Sequence, residues 1–137
     1  MSAPSWVIDT KVLVSAALSA GGNCDAIVRA AVNGRIRLVW SAPILSEYRA
    51  VLLRPKFRFQ PQQVASLLEL FGPVDQVSPI SVKVRMPDPD DLAFLEAANA
   101  TTDKILVTGN LAHFPDDLCR PVCVLSPAQA VERLAEM

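Results

Sequence analysis

The chain has 137 residues, 51% of them hydrophobic, and carries a net charge of −1. This length, with a mean hydropathy of +0.30, predicts a single globular domain over residues 1–137 and excludes a disordered chain. No segment approaches the roughly 20 apolar residues of a membrane span, and segment 1–6 lacks the pattern of a signal peptide. The odd number of cysteines, three, argues against a disulfide framework and favours a cytoplasmic protein.

Charge is distributed unevenly along the chain. Residues 1–60 carry eight Lys and Arg against three acids, whereas residues 61–137 carry five against eleven. Such asymmetry is compatible with a basic nucleic-acid-binding surface on a nearly neutral protein. The alternative is that folding interleaves the two halves and no basic patch forms, and the sequence leaves both open.

The first half of the chain alternates short apolar runs with helical patterns, which is typical of a parallel α/β sheet. Strands are predicted at 5–9 and 36–40, and helices at 11–18, 23–32 and 41–53. Gly21 and Gly22 stop the first helix, and Gly34 closes the second, for which Asn23 is a candidate N-cap. Ser41 is the predicted cap of the third helix, which has a proline in its first turn.

The second half continues the same alternation. Helices are predicted at 61–71, 88–100 and 127–135, and strands at 105–108 and 122–125. Segments 74–77 and 80–84 are weaker strand candidates inside a proline-rich connection. The whole pattern predicts a three-layer α/β/α sandwich with a central parallel sheet of about four to five strands.

Two candidate functional residues lie at the ends of predicted strands. Asp9 ends the first strand, and Asn110 lies just past the strand at 105–108. Because ligands bind outside the carboxyl ends of the strands in an open parallel sheet, both side chains are predicted to emerge on the same rim. The alternative for Asp9 is a purely structural role as the N-cap of the following helix.

Glu47 differs from the other helical acids in its helical phase. Ile44, Tyr48 and Val51 form an apolar stripe, and Glu47 lies three residues after Ile44 and four before Val51. It therefore shares a flank with the buried face, whereas an acid such as Glu69 falls off its apolar stripe. The alternative for Glu47 is a solvated position at the edge of the helix.

The run 88–91, with its cap, its proline and its first-turn acids, is typical of a helix start. That pattern explains Asp88 and Asp90. It explains Asp91 less well, because apolar residues follow Asp91 at helical spacing and place it along the packed face. A carboxylate against apolar surface is costly unless compensated, and a divalent cation is the usual compensation. Asp91 is therefore the predicted third acid of a metal site.

Basic and aromatic residues alternate after the third predicted helix. Arg54, Lys56 and Arg58 interleave with Phe57 and Phe59. Such a mixture can pair with phosphates and stack on bases, which makes the three basic residues candidates for substrate binding. The alternative is a solvated linker whose phenylalanines belong to the core.

His113 is the only histidine in the chain. Its side chain is compatible with an acid or ligand role, but a structural role is favoured. Together with Cys119 and Cys123 it lacks the spacing and the fourth ligand that a zinc site requires, so the sequence argues against zinc. Cys123 is instead predicted to pack within a strand.

Around Asp9, Glu47, Asp91 and Asn110 the chain resembles the PIN domain, the nuclease fold found in VapC-type toxins of bacterial toxin–antitoxin pairs. The resemblance runs through most of the chain and is closest to the branch of PIN-domain toxin components. The stretches that carry it are 6–10 with 12–15, 44–48 with 53–57, 88–91 with 94–98, and 106–110 with 113–115. Each stretch alone is a weak signal, whereas the four in this order are specific.

The resemblance implies a metal-dependent endoribonuclease that hydrolyses phosphodiester bonds in RNA with Mg²⁺ or Mn²⁺. The catalytic acids around the ion would be Asp9, Glu47 and Asp91. Asn110 would be a weaker, neutral member of the catalytic site, at a position where the family often has aspartate. Thr108 and Thr10 would support these groups.

Lys11 departs from the family pattern, because the family usually has asparagine two residues after the first aspartate. An ammonium group at this position can pair with the carboxylates and compete with a cation. It can also turn outward and have little effect. The sequence leaves both possibilities open.

The partners implied by the resemblance are RNA, a cognate antitoxin protein and a second copy of the chain in a homodimer, with no membrane involved. Two other functions compete with the nuclease. The first is a catalytically weak or inactive PIN-fold module that binds protein or RNA. The second is a receiver-like phosphoryl-transfer domain, although the predicted strand 36–40 ends in Trp40-Ser41 and lacks a phosphoacceptor aspartate.

Overall fold

The protein is described here by a computed structural model that covers residues 3–137. Met1 and Ser2, which begin the segment that lacks a signal-peptide pattern, lie outside the described residues. The strands are β1 Ser5–Ile8, β2 Arg37–Leu38, β3 Ile105–Val107 and β4 Cys123–Leu125. The helices are α1 Thr10–Leu18, α2 Asn23–Val32, α3 Ala42–Leu52, α4 Pro61–Leu68, α5 Leu92–Asn99, α6 Asp116–Cys119 and α7 Pro127–Ala135. Within residues 3–137, none of these helices has the length and apolar character needed to cross a membrane.

The four strands form one parallel sheet in the order β2-β1-β3-β4. In its register, Trp6 of β1 pairs with Leu38 on one side and with Ile105 on the other. The pairing continues past β1, since the Asp9 amide donates to the Val107 carbonyl at 2.8 Å. The carboxyl ends of β1 and β3 are therefore neighbours, and the predicted α/β sandwich around a parallel sheet is confirmed.

The core lies on both faces of the sheet. Trp6, Val7 and Ile8 of β1 are all 0% exposed, as expected for a central parallel strand covered on both sides. α2 packs on α1 and α7, α3 packs on α4 and α5, and α1 and α3 also contact each other. This arrangement explains why β1 is a continuous apolar run until it reaches Asp9 at its carboxyl end.

Tyr48 fixes α3 against the end of β1. Its ring is fully buried, with its centroid 4.8 Å from that of Phe71 and 6.2 Å from that of Phe94. Its hydroxyl donates a hydrogen bond to the carbonyl of Ile8. Because Tyr48 follows Glu47 directly, this contact holds Glu47 beside the carboxyl end of β1.

Local signals located several element ends correctly. The predicted helices 23–32 and 127–135 have the bounds of α2 and α7, and Gly34 ends α2 with a φ of +76°. One predicted cap was wrong, and the other occupies the predicted position without making the expected hydrogen bond. Gly22 occupies the N-cap of α2, so that Asn23 is already helical. Ser41 is at the N-cap of α3, but its buried hydroxyl has no hydrogen-bond partner within residues 3–137.

The predicted strands at 74–77 and 80–84 were wrong. Pro73–Asp75 is a 3₁₀ turn, and the Trp40–Gln76 bridge is the only pairing with the sheet that the described residues of these segments make. The amides of Ile80 and Val82 donate instead to the backbone and side chain of Glu96 in α5. Segment 80–84 therefore runs beside α5 and does not extend the sheet.

Three predicted elements are shorter in the structure. The strand 36–40 is reduced to β2, the helix 61–71 ends with α4 at Leu68, and the helix 88–100 begins as the 3₁₀ turn Pro89–Asp91 before α5. In the last case the proline and acids form a tight first turn that α5 then continues. That turn brings the acids of segment 88–91 towards β1.

Candidate active site

A cleft of about 420 Å³ opens beside the carboxyl end of β1. Acids from three separate parts of the chain line it: Asp9 after β1, Glu47 in α3, and Asp88, Asp90 and Asp91 in the turn before α5. The three acids predicted from the sequence as metal ligands thus lie in one cleft. Two further acids from the helix start accompany them.

Asp9 is the most deeply placed of these acids, with 6% of its surface exposed. It occupies the N-cap position of α1, yet its side chain makes no capping hydrogen bond. The Thr108 hydroxyl donates to Asp9 Oδ2 at 2.8 Å, and the backbone amide of Asn110 donates to Thr108 Oγ1 at 3.1 Å. The structural role as an N-cap therefore does not account for Asp9, whose carboxylate is held in the cleft by Thr108.

Replacing Thr108 with valine is expected to destabilise the protein by about 1–3 kcal/mol, because the buried Asp9 carboxylate would lose its hydrogen-bond donor. Urea unfolding followed by circular dichroism measures the change. Thr102→Val is the matched control, since Thr102 is exposed in the turn before β3. Equal losses in the two variants would show that the bond between Thr108 and Asp9 contributes nothing.

Glu47 is half-buried at the junction of α3 and α1. Burial is the largest influence on its carboxyl group and raises its pKa above the usual value; the charges of Asp9, Asp90 and Asp88 raise the pKa further. A hydrogen bond that the Thr10 hydroxyl donates to Glu47 Oε2 opposes the shift. Glu47 therefore lies inside the cleft, and Thr10 orients its carboxylate.

Asp91 has the most clearly shifted carboxyl group of the cleft. Burial, followed by the charges of Asp9 and Asp88, raises its pKa to about 6, against an ordinary value of 3.8. His113 opposes this shift, with its Nδ1 3.1 Å from Asp91 Oδ2. At neutral pH the carboxylates of the cleft thus repel one another with one histidine beside them.

Asp88, Asp91 and His113 bring one ligand atom each within 4.8 Å of the others, a spacing compatible with a shared metal ion. Asp88 was predicted only to cap the helix that follows it. It does cap, since its Oδ1 accepts from the Asp90 amide at 3.0 Å. A carboxylate has two oxygens, however, so that capping and metal binding do not exclude each other. No local sequence pattern predicts that His113 lies beside Asp91, because this contact depends on the 3₁₀ turn Leu111–His113 after β3.

Asn110 and Lys11 are the two positions at which this sequence departs from the pattern that it resembles. Asn110 is half-buried and is not among the residues that line the cleft within the described chain; its amide supports Thr108. Its assignment as a weak ligand stays a prediction. Lys11 lines the cleft and is exposed, but it forms no ion pair with any acid in residues 3–137.

The donor set fits a hard or borderline divalent cation. Carboxylate oxygens are the ligands that Mg²⁺ and Mn²⁺ prefer, and an imidazole is tolerated by Mn²⁺ and later transition metals. Burial and neighbouring negative charges raise the pKa values of Glu47 and Asp91. A divalent cation in the cleft would neutralise this uncompensated negative charge.

Comparison with known protein families gives one match. Residues 5–112, most of the chain, match the family model described as PIN domain. The matched range contains every acid of the cleft as well as Thr108. No curated protein and no solved structure matches the chain.

Proposed function

This chain belongs to the PIN domain family, whose members are generally nucleases, and from that premise we propose that it is a Mg²⁺- or Mn²⁺-dependent endoribonuclease. The observation that carries the proposal is the convergence of Asp9, Glu47 and Asp91, from distant parts of the chain, on one cleft. A purely structural role would not require three acids to be buried close together, because their mutual repulsion destabilises the fold. The family match also favours the nuclease over the receiver-like alternative.

In this proposal Asp9, Glu47 and Asp91 would hold the ion, with Asp88 and His113 beside them, and the backbone amide of Asn110 would support Thr108. A divalent ion, when bound, supplies an acidified water and positive charge near the phosphate that is cut. The chain's own residues fix the geometry: Thr108 donates to Asp9, and Thr10 donates to Glu47. Both hydroxyls hold carboxylates in place before substrate binds, which lowers the cost of organising the site.

Cleavage of a 5′-labelled single-stranded RNA by the purified protein tests the proposal. We expect cleavage with Mg²⁺ or Mn²⁺, loss of cleavage in EDTA, and recovery when excess Mn²⁺ is added back. Single-stranded DNA of the same sequence is the control substrate and is expected to remain intact. Cleavage that persists in EDTA would contradict a metal-dependent reaction, and no cleavage under any condition would favour the inactive binding module.

A catalytically weak module that binds protein or RNA is the second candidate function, and the positions of two residues favour it. Lys11 carries a positive charge into the cleft, and Asn110 lies outside the lining. If Lys11 hampers metal binding, Lys11→Asn should raise the cleavage rate. A lower affinity for RNA in the same variant would instead indicate that Lys11 binds substrate.

We further propose that the protein is the toxin component of a cytoplasmic toxin–antitoxin pair, restrained by a small antitoxin and able to form a homodimer. The support is the resemblance of the four motifs to PIN-domain toxins. Growth arrest on expression of the wild type, absent for a cleavage-deficient variant, would be the expected cellular result.

A further inference from the structure

The cleft has a basic side as well as an acidic one. Lys11 from α1 lines it, and so do Arg54, Lys56 and Phe57 from the segment that follows α3. These residues come from the basic first half of the chain, whereas Asp88, Asp90 and Asp91 come from the acidic second half. Folding therefore brings the two halves to one cleft.

The two signs of charge do not neutralise each other there. Within residues 3–137 the ion pairs are Arg29–Asp25, Arg37–Asp75 and His113–Asp91, and none contains Lys11, Arg54 or Lys56. All three are exposed side chains. The cleft thus offers three unpaired cations beside carboxylates of which only Asp91 has a cationic partner, His113, and this arrangement suits a ligand with several phosphates along its length.

The helices set the order of these groups along the cleft. On α3, Val51 lies one turn after Glu47, and Arg54 comes just past the end of the helix. From Glu47 to the end of α3 at Leu52 the helical rise is about 7.5 Å, and Arg54 lies two residues further on. Val14 of α1 and Val51 also line the cleft. Arg54 is therefore displaced from Glu47 towards a neighbouring nucleotide, whereas Lys11 lies only two residues after Asp9.

The conformation of the segment separates Lys56 from Arg58. Phe57 packs on Phe59, with ring centroids 5.8 Å apart and planes at 17°, and the Lys56 ammonium lies 5.0 Å from the Phe57 centroid. Both phenylalanines are half-buried against the core, which supports a packing role for them. Arg58 adopts a left-handed φ of +56° and is not among the residues that line the cleft.

We propose that Lys11, Arg54 and Lys56 form a binding site for backbone phosphates of single-stranded RNA next to the phosphate that is cut. This inference rests on the proposed nuclease function. It assigns Lys11 to substrate binding and excludes Arg58, which the sequence pattern alone had grouped with Arg54 and Lys56. Since contacts to phosphates carry no sequence information, the site contributes affinity and not sequence preference.

Fluorescence anisotropy with a 5′-fluorescein single-stranded RNA in EDTA tests the site without cleavage. The variants are Lys11→Gln, Arg54→Gln and Lys56→Gln, and Arg58→Gln is the matched control that removes the same charge from an exposed neighbour. Each of the three is expected to weaken binding about threefold to tenfold and to lower the slope of log affinity against log salt by about 0.7. Arg58→Gln is expected to change the affinity less than about twofold.

Three outcomes would overturn the site. They are an equal effect of Arg58→Gln, unchanged affinity in the three variants, and absence of RNA binding by the wild type.

Cleavage kinetics then separate this inference from the nuclease proposal. The three variants should raise KM with little change in kcat, whereas failure of the wild type to cleave despite normal RNA binding would contradict only the nuclease proposal. Unchanged melting temperatures would show that the variants are folded.

Discussion

Asp9→Asn is expected to abolish RNA cleavage while making the metal-free protein more stable. The asparagine oxygen can still accept from Thr108, but the charge that holds a cation is lost. We expect a fall in cleavage of about 100-fold or more, equivalent to about 2.7 kcal/mol in the barrier. Because the Asp9 charge raises the pKa of both Glu47 and Asp91, its removal should also raise the melting temperature in EDTA.

Cleavage in Mn²⁺ and thermal unfolding in EDTA measure the two effects on one preparation. Asp117→Asn is the control, because Asp117 is an exposed acid of α6 outside the cleft. It should leave both quantities unchanged. Full cleavage by the Asp9 variant would contradict the role of this carboxylate, and a lower melting temperature would contradict the repulsion among the acids.

Asp91 is expected to make the metal-free protein less stable as the pH rises from about 4 to about 6. Its folded pKa of about 6 lies above the ordinary 3.8, so that the folded state binds the proton more tightly than the unfolded state. Deprotonation therefore costs stability across this interval, on the order of 1 kcal/mol once solvent screening of this partly exposed group is allowed for. Glu47, whose pKa is also raised, acts in the same direction.

Asp91→Asn tests this by removing the titrating group. In EDTA its melting temperature should exceed that of the wild type at pH 7.5 and approach it at pH 4, where the wild-type carboxyl is protonated. Added Mn²⁺ should stabilise the wild type at pH 7.5 and have little effect on the variant. A variant less stable than the wild type at pH 7.5 would show that the bond between Asp91 and His113 outweighs the repulsion.

The effects expected for Asp9→Asn and Asp91→Asn both reflect a trade-off between stability and activity. Carboxylates that are buried near each other destabilise a fold unless a cation joins them, and here the hydroxyls of Thr108 and Thr10 still hold two of them in place. Substitutions that relieve the repulsion are expected to stabilise the protein and to remove its activity, as is common at functional sites.

The fold was largely predictable because its signals are local. The capping motif and proline that begin α7, and the glycines that flank α2, mark element ends without reference to distant residues. The strands predicted at 74–77 and 80–84 failed for a tertiary reason. Their apolar residues suit a strand, but Glu96 of α5 takes the amides of Ile80 and Val82.

The site was predictable where helical phase or a strand end fixes a direction. The end of β1 pointed to Asp9 and an apolar stripe pointed to Glu47, and both line the cleft together with Asp91, which lies in a 3₁₀ turn and not in the predicted helix. Their role as metal ligands stays a prediction. Other features depend on contacts that no local pattern contains. His113 reaches Asp91 from the turn that follows β3, and Arg58, whose φ is positive, is not among the residues that line the cleft.

Binding of Mn²⁺ itself, measured at pH 7.5 by electron paramagnetic resonance of the free ion, tests the claim that the carboxylates around Asp9 form a divalent-metal site. The wild type should bind Mn²⁺, and Asp9→Asn should bind it about 10- to 100-fold more weakly, while Asp117→Asn binds as the wild type does. Equal affinity in the wild type and the Asp9 variant, or no binding by the wild type, would contradict the claim.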